Sequence, residues 1–236
     1  MRNSIGVIEL SCFGLLLMVT TVLQTYAQDS KTPYPNMAPL DQYLMERNAE
    51  IALARTAAPP SIADDAKVMV LGKRGYEIAA GGKNGFVCMV LRGWTATFND
   101  PVFWNPKARG PACFNAAAAR SILPLILKKT DLVLAGRSKD QMVETISAAT
   151  EKKELPAMES GAMCYMLSKQ GYLNDQAGHW HPHLMFFAPL AQAGTWGEGL
   201  PGSPIINDKD EVARVTTFMI PVRMWSDGTP DLPETH

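Results

Sequence analysis

A chain of 236 residues with 22 basic and 23 acidic side chains has no charge excess with which to hold nucleic acid or an anionic membrane surface. The length suffices for one large domain or two small ones with a substantial core. Its 18 glycines and 17 prolines are dispersed, and no internal repeat is visible, which favours many short elements over a helical bundle.

The chain opens as a leader. Met1 and Arg2 give a short positive start, Leu10 to Leu23 is apolar, and Thr25-Tyr26-Ala27 ends in the small residue that a signal peptidase prefers. This predicts a signal peptide over 1–27 and export to the periplasm or the medium. The apolar run is too short, and too soon followed by Gln28, Asp29 and Lys31, to leave a membrane span in the mature chain.

A proline-rich arm follows, and Pro39 suits the first turn of a helix carrying Leu40, Leu44, Ile51 and Ala54 up to Pro59-Pro60. Arg47, Glu50 and Arg55 are assigned to its wet side. We place this arm and helix at 28–60, ahead of a single domain over 61–225 and an irregular tail over 226–236.

From Lys67 the hydrophobic period changes to two. Strands at Val68–Val70, Tyr76–Ala80 and Phe86–Arg92, joined by Gly72-Lys73-Arg74-Gly75 and by a glycine-rich link with Asn84-Gly85, predict a three-stranded antiparallel meander. A long aromatic connection from Trp94 to Phe114 comes next. Its side chains can pack it down, or it can grip a ligand through Trp104 and Arg109, the latter suited to a carboxylate.

Asn115 is placed to cap a helix that Pro124 interrupts, and Ser138 with Gln141 resembles a capping box for a helix burying Met142, Ile146 and Ala149. Strands return at Ala162–Ser168 and Val215–Val222. The resulting class is α+β: an antiparallel sheet whose strands fall into two groups with helices inserted between them.

Gly178 to Pro189, reading GHWHPHLMFFAP, holds three of the four histidines. On an extended segment His179, His181 and His183 share a face, and imidazoles two apart can share a metal ion. The outer pair would stand about 13 Å apart at Cα, too far for one ion unless Pro182 bends the strand. In a hairpin pairing Ser168 with His179, Cys164 falls opposite His183 and Met166 opposite His181. This points to a zinc or copper site formed by His181, His183, His179 and Cys164. The other reading is a polar strand end, since Met185 and Phe187 continue the same face as apolar residues.

Three cysteines remain after the leader, which in an oxidising compartment implies one disulfide and one free thiol. Cys88 and Cys113 are the expected pair, tying the aromatic connection to the sheet, with Cys164 free. The segments GAMCYMLSKQGYL, GHWHPHLMFF, NGFVCMV and WNPKARGPACFN resemble a family of uncharacterised bacterial exported proteins. That resemblance implies export and a single domain, and it implies no activity. Two functions follow from the sequence: a non-catalytic exported domain binding a small molecule or an envelope protein, or a metal-binding protein built on the histidine stretch.

Overall fold

Strand pairing begins where the period changes. The computed structural model describes residues 34–175, 178–190 and 193–232, so the predicted signal peptide over 1–27 and the end of the predicted tail lie outside the described residues. Among the described residues eight strands form one sheet: β1 Lys67–Gly72, β2 Gly75–Ala80, β3 Val87–Leu91, β4 Gly110–Phe114, β5 Met163–Met166, β6 His183–Pro189, β7 Ile206–Asp210 and β8 Val215–Pro221. Their order is β2-β1-β3-β4-β5-β6-β8-β7. Five α-helices among the described residues accompany them: α1 Arg47–Arg55, α2 Pro60–Ala63, α3 Ala116–Ser121, α4 Leu123–Leu134 and α5 Lys139–Glu151. The class is α+β, and the described residues form one compact domain.

The meander is corrected. The β1–β2 hairpin forms, but β3 runs parallel to β1 on its other edge, while every other neighbouring pair is antiparallel. The glycine link is therefore a crossing and not a hairpin turn. Lys83 donates its amide to Asp65 O at 2.9 Å, and Lys67 donates to Phe86 O at 2.9 Å. A Cβ on Gly82 would stand 2.3 Å from the Ala66 carbonyl carbon and the Lys67 nitrogen. Only glycine lets the link pass so close to the chain entering β1.

Alternation along the strands gives two apolar faces. On β3, Val87 and Met89 join the core under α3, α4 and α5, while Cys88 and Val90 join the one under α1 and α2. The second layer is built largely from Ala54, Ala57, Ala58, Ala63 and Ala66, small side chains that let α1 and α2 lie near the sheet. Because α1 packs on this face, it belongs to the domain rather than preceding it. Glu50 is also corrected: it lies in the buried stripe with Leu53 and Ala54, not on the wet side.

The predicted caps form. Asn115 accepts from Ala118 N at the start of α3, and Ser138 and Gln141 make the capping box of α5. Pro124 stands in the first turn of α4, so the helix breaks and restarts there. Before α1 the expected single helix is split: Leu40–Gln42 is a 3₁₀ turn, and Glu46 caps α1 through the amides of Asn48 and Ala49.

β7, reading INDKD, has no apolar alternation and is missing from the sequence reading. It is an edge strand, where charged side chains discourage pairing with another chain. In the tail, Trp225 donates its amide to Thr229 O and Asp231 donates to Arg223 O, which folds it back as a tight turn.

Candidate functional site

β6 starts at His183, immediately after Pro182, and only His183 of the three histidines enters the ladder. His181 stays exposed, its Nδ1 2.6 Å from Asp231 Oδ2. His179 lies outside the strand with its ring 5.7 Å from that of Trp225. The alternating face expected for the triplet is therefore absent, because alternation requires strand backbone and the strand begins too late.

The hairpin register also differs. Met166 pairs with His183 and Cys164 with Met185, a slip of two residues from the expected pairing. A slip of two keeps every side chain on its face. Cys164, Met166, His183 and Met185 therefore share one surface, and Met219 joins them from β8 opposite Met185. Among the described residues no three His, Cys, Asp or Glu side chains stand close enough together to hold a metal ion.

That surface is the floor of a cavity of about 440 Å³ lying between the sheet and α4. Phe114, Cys164, Met166, Met185, Phe187 and Met219 line it from the strands, with Ile122 and Ile126 from the helical side. Trp180, Leu173 and Ile206 also contribute, and the polar lining includes His183, Lys129, Asp100, Asp208 and Asp210. The volume lies in the range of small-molecule sites, and the mostly apolar lining with few polar groups is typical of them.

His183 is 3% exposed. Its Nδ1 stands 2.8 Å from His181 O. A carbonyl can only accept, so Nδ1 carries the proton, and in the neutral ring Nε2 presents a lone pair. That Nε2 is buried and has no hydrogen-bond partner among the described residues. Burial, opposed in part by the bond to His181, holds the imidazole below its usual pKa, which favours the neutral ring. Leaving such an acceptor unpaired costs about 1–3 kcal/mol, which a ligand able to donate to it would recover.

Cys164 is buried and free. Burial pushes its thiol well above the usual range, so it stands as a protonated, weakly polar wall of the cavity rather than a thiolate ligand or nucleophile.

Two buried ion pairs whose cations line the cavity, Lys129 with Asp210 and Arg92 with Glu50, were missed. Lys129 of α4 is 2% exposed, donating to Asp210 Oδ2 at 2.9 Å and Ala96 O at 3.0 Å, with its ammonium 4.5 Å from the centre of the Phe98 ring. Arg92 donates through Nη2 to Glu50 Oε1 at 2.9 Å, through Nε to Tyr43 O at 2.8 Å and through Nη1 to Val90 O at 2.5 Å. The signal was spacing. Glu50 precedes Leu53 and Ala54 by three and four residues, and Lys129 follows Ile126 and Leu125 by three and four, so each stands on an apolar stripe.

Arg109 and Trp104 are not in the cavity lining. The Arg109 guanidinium donates to the carbonyls of Pro106, Ala108 and Gln42, and burial, with Arg92 nearby, lowers its pKa to about 10. Trp104 is buried edge-on to Phe103 at 4.6 Å. Both hold the aromatic connection down. Cys88 and Cys113 face each other across β3 and β4 with their sulfurs at disulfide distance, so the bridge staples two strands rather than tying down a loop.

No protein family, curated protein or solved structure matches this chain. Among the described residues no helix is long and apolar enough to cross a membrane.

Proposed function

We propose that this chain is an exported binding domain that takes one apolar small molecule into the cavity over β5, β6 and β8. The observation that carries the reading is the buried, unpartnered Nε2 of His183 in the wall of a 440 Å³ apolar space. Its lone pair matches a ligand with a hydroxyl or amine hydrogen at the end of an apolar body. Export is supported by the leader composition of residues 1–27 and by the Cys88–Cys113 pair, which suits an oxidising compartment.

Titration with the neutral fluorophore N-phenyl-1-naphthylamine tests this. One equivalent should bind with enhanced emission, and Met219→Trp, which fills the cavity, should abolish the signal while the circular dichroism stays native. Wild-type protein that leaves the emission at its buffer value would remove the reading.

A second reading is a soft-metal site. Met166, Met185 and Met219 share the face of His183, and thioether with imidazole is a donor set that suits copper(I) better than zinc. Elemental analysis of protein purified from its own compartment without chelator checks it. Copper below a tenth of an equivalent, by that measurement and by copper(I) titration, would dismiss it.

A further inference from the structure

We infer that the ligand of this cavity is an amine, a cation carrying an apolar chain. The inference rests on the small-molecule reading of the cavity and assigns its charge. Two cationic side chains line the space, and each is already held by a carboxylate: Arg92 by Glu50 and Lys129 by Asp210. Two further carboxylates in the lining, Asp100 and Asp208, have no cationic side chain bonded to them among the described residues. Asp100 Oδ1 accepts the Val102 amide at 2.8 Å. Asp208 stands on the edge strand β7 opposite Thr217, on the cavity side of the sheet. Its carboxyl is held above the usual range by burial first, then by the neighbouring carboxylates of Asp100 and Asp210, which outweigh the opposing pull of the Lys209 amide and of the Lys129 ammonium already paired with Asp210. A bound cation would relieve that repulsion, and a bound carboxylate would add to it.

The strand register sets the length of the ligand. His183 is level with Pro221 on β8, while Asp208 is level with Thr217, four residues along and two strands across from β6. At ~3.3 Å per residue and ~4.8 Å per strand, the two Cα atoms are roughly 16 Å apart. Met185 and Met219 line the cavity between these two levels, and Phe187 stands at the level of Thr217 and Asp208. The arrangement therefore offers an acceptor for a donor at one end, an apolar middle, and an anion at the other end. A medium-length aliphatic amine fits the apolar middle and the anion, and one with a hydroxyl at its far end fits all three parts.

Calorimetric titration of the full chain with octylamine, 1-octanol, octanoate and 8-amino-1-octanol decides the point. Octylamine should bind about tenfold tighter than octanol, since a single ion pair at a cavity rim gains an energy between its values in water and in the interior. The amino alcohol should bind tightest, and octanoate should give no heat. In Asp208→Asn the ratio of octylamine to octanol affinity should fall to about two- to threefold. Lys209→Ala, on the opposite face of the same strand, should leave the ratio as in wild type.

Equal affinity for octylamine and octanol in wild type, or an unchanged ratio in Asp208→Asn, overturns the inference while leaving the cavity reading in place. If neither octanol nor octylamine binds, both readings fall together.

Discussion

Cys164 and His183 share a face in the floor of one cavity, yet burial acts on them in opposite directions. It raises the thiol, which then stays protonated, and lowers the imidazole, which then stays neutral. For Cys164 the expected outcome is silence: in protein without residues 1–27, which carry Cys12, a thiol reagent such as 5,5′-dithiobis(2-nitrobenzoate) should find no reactive group in the native state and one in urea. Rapid reaction of the native protein would place Cys164 at the surface. For His183 the sign follows from a folded pKa below the unfolded one. Above about pH 6.5 both states are neutral and there is no contribution. As pH falls below that, the unfolded chain takes up a proton that the native ring refuses, and stability drops by up to about 1.4 kcal/mol per pH unit until the ring itself titrates. Urea unfolding at pH 7.5 and 5.5 should show this loss in wild type and a smaller one in His183→Gln. Equal losses in the two proteins would mean that other groups carry the acid sensitivity.

At the scale of elements, two pairings join parts of the chain far apart in sequence. Glu50 of α1 and Arg92 at the end of β3 form an ion pair that is almost wholly buried, with Glu50 Oε1 also accepting the Leu71 amide at 3.1 Å. Removing one partner strands the other charge, so Glu50→Gln should cost about 3–5 kcal/mol in urea unfolding. The double variant Glu50→Leu with Arg92→Met should recover much of that loss, since a well-packed apolar pair avoids the desolvation cost. If the double variant is no more stable than the single, the pair is not the source of the loss. The disulfide between β3 and β4 closes a separation of 25 residues. Reduction, or Cys88→Ala with Cys113→Ala, should cost about 3 kcal/mol. Peptide mapping without reduction should show Cys88 linked to Cys113, and a link from either to Cys164 would contradict the strand register.

For the whole molecule, the topology turns on the crossing that carries the chain from β2, over the start of β1, to β3. Gly82 meets backbone atoms there, while Gly81 has nothing within 4 Å of the Cβ it would gain. Gly82→Ala should therefore destabilise by about 2 kcal/mol or more, and Gly81→Ala should be close to neutral, as thermal unfolding will show. Similar losses in both would mean that glycine flexibility, not close approach, is what the link requires.

Local chemistry determined much of this protein. The caps at Asn115 and Ser138, the break at Pro124, the apolar stripe of α5, the Cys88–Cys113 pair and the α+β class were all legible, because each depends on residues within one turn, on alternation along a strand, or on the count of cysteines. Tertiary structure alone decided the parallel placement of β3, since a glycine link can close a hairpin or cross a strand, and only the packing around Ala66 chooses between them. It also decided the edge strand β7, whose polar sequence is set by its place at the sheet's rim. The histidine stretch shows the division most plainly. Its spacing promised one shared face, but spacing has that meaning only inside a ladder, and the ladder begins at His183. The cavity could not be read at all: its walls come from β3–β8, α4 and the connections between them, and a volume enclosed by residues more than 100 positions apart has no local signature.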